Sequence, residues 1–378
     1  MVMETNTNVQ IKNAKFKDMG RTDKSRWVDD QLFNEWTETN IFKSFSSPLG
    51  QNVANSYTPN PEDITNSRGR YSIHLHKNGS RLGDNLIQVT GNVVWGNPGW
   101  GITHHDAYAN ISDNVVYDVL GAGIVSETGS ETGFWNNNLV AKIAKRSGTG
   151  DAIDPYDGSL FYNDYLFEGI GLGMKGRAVV CNDNVIADVI QGILVMNMNP
   201  NSGSVDMVDP LQLATVRPNF QINQFPLSTN GYSKEGDDIM PVEVALIMNN
   251  TTVIASNLGF KSIERDMGVN HESRSVFDGF ILWGTKQGIT NTYQANYTFI
   301  DTFISSSKSN NSSPTEGLYM WKHSFNHVYK NIKFKDLDYA VVPSKLVLSG
   351  NGEYKTRNNG FTPWVFIDAK VDNVGSFY

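Results

Sequence analysis

Residues 111–128 read ISDNVVYDVLGAGIVSET, and the same pattern stands at 89–106 (VTGNVVWGNPGWGITHHD) and 180–197 (VCNDNVIADVIQGILVMN). Each copy carries an Asn, a short apolar pair, a Gly-containing corner and a second apolar run. Asn92 and Asn114 are 22 residues apart, Asn138 in NNNLVAKI follows 24 later, and Asn184 lies 46 beyond that, read as two steps of 23. Weaker copies stand at 8–19, 246–258, 296–304 and 326–341. A repeat of about 20–25 residues fits a β-helix coil or a leucine-rich repeat, whereas a propeller blade needs about 40 or more. The repeated apolar places hold Val, Ile and aromatic residues, which favour strands, instead of fixed Leu. An Asn at each turn can bond the same position on the next coil, forming a ladder. These asparagines therefore have a structural job and are assigned no chemistry. Gly at the corners tolerates positive φ. The expected fold is all-β: a single-stranded right-handed parallel β-helix, a solenoid forming one domain over 1–378.

Composition agrees. The chain has 378 residues, 34 of them Gly, and only 19% are charged. Helix-forming Ala/Leu/Glu/Lys blocks are missing, which disfavours a helical bundle and favours short strands joined by tight turns. The net charge of −8 argues against a general nucleic-acid binder. The one cysteine, Cys181, allows no intramolecular disulfide and reads as a buried apolar thiol. No run of about 18 apolar residues exists to span a membrane. Met1 to Asn8 is polar and lacks a signal-peptide core. Because residues 8–19 already read as a coil, the expectation is a piece of a longer, extracellular or cell-surface protein whose export signal lies outside this chain.

Two stretches break the period, at about 20–67 and 198–240, and are expected to be loop insertions on one face. Trp27 and Trp36 in the first are expected to pack that loop onto the coils. Residues 305–316 (SSSKSNNSSPTE) read as another loop.

Strand alternation locates the chemistry. In RYSIHLHK, Ile73 and Leu75 point in, so His74 and His76 point out. In GITHHD, Ile102 points in, so Thr103 and His105 point out. In GIVSET, Ile124 points in, so Val125 and Glu127 point out. Stacking the three isoleucines puts His76, His105 and Glu127 in one outward column, with coils about 4.8 Å apart. Two imidazoles and a carboxylate so placed can share a divalent metal ion, a proton or a substrate. His104 is expected inside. His74 falls beside Thr103 and Val125, which offer it no ionisable partner. Arg68, Arg70, Lys77 and Arg81 form a local basic patch suited to an anionic substrate. Glu131 reads as structural at a turn. Asp151, Asp154 and Asp157 do not match a calcium loop. His323 and His327 show no evident partner.

The segments VQIKNAKFKDMG, RGRYSIHLHKNG and ISDNVVYDVLGAGIVSETGSETGFWNNNLV together resemble the β-helix core of the cell-surface hyaluronidases of the cell-migration-inducing and transmembrane type, a family that also includes fibrocystin-like proteins. Arg70, Tyr71, His74 and His76 match its G-R-Y-P-I-H-F-H strand, and His105 matches its I-H-G segment. Asp113 to Val115 and Tyr117 match D-N-V-A-Y, and Glu127, Glu131, Thr132 and Gly133 match L-E-D-G-x-E-T-G-N. The resemblance covers roughly a quarter of the chain. Ser72, Ala122 and Thr128 depart from the pattern, and the domain usual upstream in the family is absent.

The resemblance implies an enzyme that cuts an extracellular, uronic-acid-containing polysaccharide by hydrolysis or lyase chemistry. His76, His105 and Glu127 are the expected catalytic groups and candidate ligands of a divalent metal. Arg68, Arg70, Tyr71, His74 and Lys77 are the expected substrate-binding residues. In a hydrolase Glu127 and a His would divide the acid and base roles. In a lyase a His or Tyr71 would remove the proton beside the carboxylate. A non-catalytic glycan-binding module is the alternative.

Overall fold

The computed structural model describes residues 2–3, 9–24, 69–79, 86–127, 131–145, 168–176, 178–197, 246–264, 274–292, 296–306, 314–321, 327–343 and 364–377. The described chain is all-β, a 27-stranded parallel sheet without helices. Among the described residues no helix is long and apolar enough to cross a membrane.

The pairings fall into three ladders. The first joins β2 (Gln10–Lys12), β5 (Ile87–Thr90), the later part of β7 (Ile102–Ser112), β10 (Thr132–Asn136), β13 (Ala178–Asn182), β15 (Ile247–Asn249), β17 (Ser275–Asp278), β20 (Tyr297–Ile300), β23 (Val328–Lys330) and β26 (Val365–Ile367). The second joins β3 (Lys15–Lys17), β6 (Val93–Trp95), β8 (Val115–Leu120), β11 (Leu139–Ala144), the early parts of β14 (Val185–Asn197) and β16 (Thr252–Glu264), β18 (Ile281–Trp283), β21 (Phe303–Ser305), β24 (Lys333–Lys335) and β27 (Lys370–Asp372). The third joins β1 (Val2–Met3), β4 (Ile73–Gly79), the early part of β7, β9 (Ala122–Ser126), β12 (Ile170–Met174), the later parts of β14 and β16, β19 (Gln287–Thr292), β22 (Glu316–Trp321) and β25 (Tyr339–Pro343). Each repeat thus contributes one strand segment to each ladder, an arrangement compatible with a β-helix.

Two columns of side chains explain the corners. Asn92 Nδ2 donates to Asn114 Oδ1, Asn114 Nδ2 to Asn138 Oδ1, and Asn138 Nδ2 to Asn184 Oδ1, each at 3.0 Å. The ladder expected from the sequence is therefore present, with one correction. Asn138 and Asn184 are direct neighbours in the ladder, so their separation of 46 residues is one step of the ladder, not two. The residue before each ladder Asn turns the chain through positive φ: Asp113 at 60°, Asn137 at 52°, Asp183 at 56°. Asn and Asp tolerate that region better than other non-Gly residues. Beyond Asn184 the column changes to Thr251, Phe280, Thr302 and Ile332, all buried.

The core follows the alternation. The inward column of the first ladder runs Val89, Ile111, Trp135, Cys181, Met248, Phe277, Phe299 and Tyr329, each fully buried. Cys181 is thus a core thiol, as expected. At the far end the aromatics stack, with ring centroids 4.6 Å apart for Phe277 and Phe299 and 5.4 Å for Phe299 and Tyr329. Burying a ring of this size contributes about 2–3 kcal/mol. From β7 to β22 a glycine stands directly before the inward apolar residue of each third-ladder segment, and close approach requires it. A Cβ on Gly123 would collide with Val140 and with the Gly171 carbonyl.

Of the first insertion only its start is described, where Arg21 N and Lys24 N bond the carbonyls of Arg70 and Pro98 at 2.7 Å. The remainder, with Trp27 and Trp36, lies outside the described residues, as do the 198–240 insertion, Asp151, Asp154, Asp157 and His323. The 305–316 loop is narrower than expected, since Ser305 ends β21 and Glu316 begins β22.

Candidate functional site

Strands β4, β7 and β9 lie side by side in the third ladder. Ile73 pairs with Ile102 and Ile102 with Ile124, the register expected from the inward isoleucines. His76 pairs with His105. Glu127 follows the last residue of β9, and its N–H donates to the His104 carbonyl at 3.0 Å. The column of His76, His105 and Glu127 is therefore real. The register of β4 slips between His76 and Gly79. Such bulges occur next to functional sites because they re-aim side chains.

The side chains gather differently from the column. Glu127 Oε2 lies 2.9 Å from His105 Nδ1 and 3.4 Å from His74 Nε2. Ligand atoms of His74, His105 and Glu127 all lie within 4.8 Å of one another. His74 therefore has an ionisable partner, which corrects the expectation that it had none. β4 and β9 flank β7 on its two sides, so the Glu127 and His74 side chains meet by reaching across the intervening strand and two positions along it. His76 is the flanking member, its ring edge-on to His105 with centroids 4.4 Å apart.

The far nitrogens of both imidazoles are held. His74 Nδ1 donates to the Gly69 carbonyl at 2.7 Å, leaving Nε2 toward Glu127. His105 Nε2 lies 3.3 Å from Asp106 Oδ2, leaving Nδ1 toward Glu127. A carbonyl or carboxylate behind an imidazole fixes its tautomer and ring orientation and is the common setting of metal-ligating histidines. Glu127 is fixed from behind as well, because its own N–H donates to Glu131 Oε1 at 3.0 Å. Glu131 is fully buried, in keeping with the structural role expected of it.

Charge follows from these contacts. Burial is the largest influence on Glu127 and favours its neutral form. Hydrogen bonds to His105 and His74, with their charge, outweigh it and hold the carboxyl well below its usual range. Burial likewise opposes charge on His105, but bonds to Asp106 and Glu127 raise its pKa to about 10. Without a bound cation the pair is an imidazolium and a carboxylate. His104 is the opposite case. It is fully buried, Nε2 donates to the Ala107 carbonyl at 2.7 Å, and Nδ1 accepts from Trp135 Nε1 at 3.3 Å. Burial pulls its pKa down, so it is a neutral core histidine, as the alternation implied.

The other expected binding residues divide. Tyr71 is buried, stacked on Trp100 at 4.4 Å and 5.6 Å from the His74 ring, and so walls the site. Arg70 is exposed. Arg68, Arg81 and the Lys77 side chain lie outside the described residues. His327 is buried in the core beside Tyr297, away from this site.

Two cations escaped the sequence reading. Lys24, fully buried, places Nζ 4.1 Å from the centre of the Trp100 ring. Lys175 is buried at the register position beside Glu127 on the next coil, with its N–H 2.7 Å from Ser126 Oγ. Laying GLGMKG (171–176) on GIVSET (123–128) would have shown it, since Lys175 then falls on Glu127. Lys24 gives no signal, because it lies inside the first break in the period.

No protein-family model matches this chain, and no curated protein and no solved structure matches it.

Proposed function

We propose that this chain is a right-handed parallel β-helix forming one domain. On the outer face of its third ladder lies a site that cleaves an anionic, uronic-acid-containing polysaccharide outside the cell, in the manner of a hyaluronidase. The observation that carries the reading is the convergence of His74 Nε2 and His105 Nδ1 on one oxygen of Glu127, with the opposite nitrogen of each ring already engaged. The motif resemblance supplies the substrate class, and the exposed Arg70 beside the site suits a uronate carboxylate.

The donor set fits a divalent transition-metal ion. Tetrahedral bonds of about 2.0–2.1 Å separate ligand atoms by about 3.4 Å. The Glu127 oxygen already lies 2.9 and 3.4 Å from the two nitrogens. Two imidazoles and a carboxylate suit such an ion better than calcium or magnesium, which prefer oxygen. His74, His105 and Glu127 would hold it, so His74 takes the place the sequence reading gave to His76. The ion would supply Lewis acidity toward a sugar carboxylate or a water.

The protein groups then divide the remaining work. Glu127 is held ionised and cannot be the acid that protonates a leaving oxygen. His76, whose ring lies edge-on to His105 beside the trio, is the group placed to move a proton. Tyr71 and Trp100 wall the site toward His74 and limit water on that side.

A chain-length assay tests the reading. Purified protein is incubated with size-defined hyaluronan, chondroitin, alginate and pectin, with and without chelator, and unsaturated uronate is followed by ultraviolet absorbance. Shortening that the chelator stops is expected, and the absorbance separates lyase from hydrolase. Glu127→Gln should abolish cleavage while leaving the fold intact, and full activity in that variant would remove Glu127 from the mechanism. Retention of a polymer without shortening would instead make the chain a glycan-binding module.

A further inference from the structure

A second cluster lies on the same outer face as the histidine site, further along the stack. Lys261 of β16, Thr290 of β19 and Tyr319 of β22 stand side by side in register. Each follows a buried core residue, Phe260, Ile289 and Leu318, so alternation turns all three outward. The row begins three coils beyond the strand that leads to Glu127, counted through β12 and β14. That is about 14 Å along the axis. On the preceding coils the outward residues Val125 and Leu194 are buried, whereas Lys261 and Tyr319 are half-buried and reach solvent.

Both long side chains are uncommitted. Among the described residues the Lys261 ammonium makes no hydrogen bond and no ion pair, and the Tyr319 side chain makes no hydrogen bond and no ring contact. Burial is the largest influence on Lys261 and pulls its pKa down, while Glu168 opposes this through its charge without bonding to it. A cation removed from water without a direct partner carries a desolvation cost that a bound anion offsets. The neighbouring Gln287 and Glu316 bond each other at 2.6 Å, which leaves Lys261 as the group able to take an anion here. Lys261 and Tyr319 stand two coils apart, about 10 Å, and the short Thr290 side chain floors the gap between them. A sugar ring seated there would lay its C–H face on the tyrosine and turn a carboxylate to the lysine.

We infer that the row of Lys261, Thr290 and Tyr319 is a binding subsite for a uronate-bearing pyranose, separate from the histidine site. The class of sugar rests on the proposed function, but the subsite does not need the histidine site to be catalytic.

Isothermal titration of the full chain tests it, with Glu127→Gln as the background so that cleavage does not intrude. The probes are octasaccharides of hyaluronan, chondroitin, alginate and pectin, together with the same octasaccharides after reduction of their carboxyls to alcohols. At least one acidic octasaccharide should bind, and its reduced form should bind at least tenfold more weakly. Lys261→Met and Tyr319→Ala should each weaken one binding event per chain at least tenfold, while Lys261→Arg and Tyr319→Phe keep it. Lys261→Met removes a desolvated charge, so its thermal unfolding midpoint should equal or exceed that of the parent. Lys330→Met, at an exposed lysine on the first ladder, should bind as the parent does. Unchanged number and affinity of binding events in both Lys261→Met and Tyr319→Ala would overturn the subsite and leave the cleavage reading to its own assay. Loss in those variants, with no polymer shortened by the parent chain, would uphold the subsite and overturn the cleavage reading. Binding of none of the probes would overturn the subsite.

Discussion

Glu127 and His105 are each charged because of the other. Burial is the largest influence on both and opposes both charges, yet the 2.9 Å contact keeps the carboxylate ionised and lifts the imidazole pKa to about 10. A metal ion can take His105 only as the neutral ring, so binding must expel the proton that Nδ1 shows to Glu127. The sign follows directly. Below a pKa of about 10 each rise of one pH unit removes a tenfold excess of the protonated competitor. Apparent zinc affinity should therefore climb about 100-fold between pH 6 and pH 8, with about one proton released per ion. Titration calorimetry in two buffers of different ionisation enthalpy counts that proton. An affinity flat across this range, with no proton released, would show that His105 is not a ligand.

The corner between strands is the unit in which sequence becomes structure. Asn114 alone donates to the Val89 carbonyl and to Asn138, and its Oδ1 accepts from both nitrogens of Asn92. Asn114→Ala would strand buried groups on two coils at once and should cost about 3 kcal/mol or more by urea denaturation. The opposite sign is expected at Ala255, which stands at φ 53° on the other corner column, where Asp118 and Asp188 take φ 57° and 53°. Ala is strained there and Asn is not, so Ala255→Asn should stabilise by about 1 kcal/mol in the same assay. A lower midpoint would mean that the side chain, not the backbone, governs the position. These corners also show what could be read beforehand. The spacing of Asn92, Asn114 and Asn138 is a direct imprint of the ladder, because each amide must meet the next. The step to Asn184 is not legible from spacing, because two asparagines adjacent in the ladder need not be a constant number of residues apart in the chain. The alternation put His76, His105 and Glu127 in one column correctly, since register fixes Cα positions. It missed the pairing of His74 with Glu127, because period-two patterns carry no information about diagonal reach.

Across the whole molecule the stack changes character along its length. The coils around the candidate site carry the Asn ladder and aliphatic side chains, while those from Phe277 onward are cored by stacked rings. In a stack of repeats each coil feels chiefly its neighbours, so stabilisation is transmitted over short distances. A ligand that binds only the folded site stabilises the segments whose opening destroys that site. The three site residues come from β4, β7 and the end of β9. Loading with zinc should therefore slow amide hydrogen exchange in residues 73–79, 102–112 and 122–127 by tenfold or more. Residues 275–283 and 328–335, in the aromatic-cored coils, should exchange at unchanged rates, and chelator should reverse the effect. Equal slowing in both regions would instead mean that the stack opens as a single cooperative unit. The site would then be coupled to the distant aromatic coils through the continuous parallel ladders, and a substitution such as Phe299→Ala would weaken zinc binding at the site.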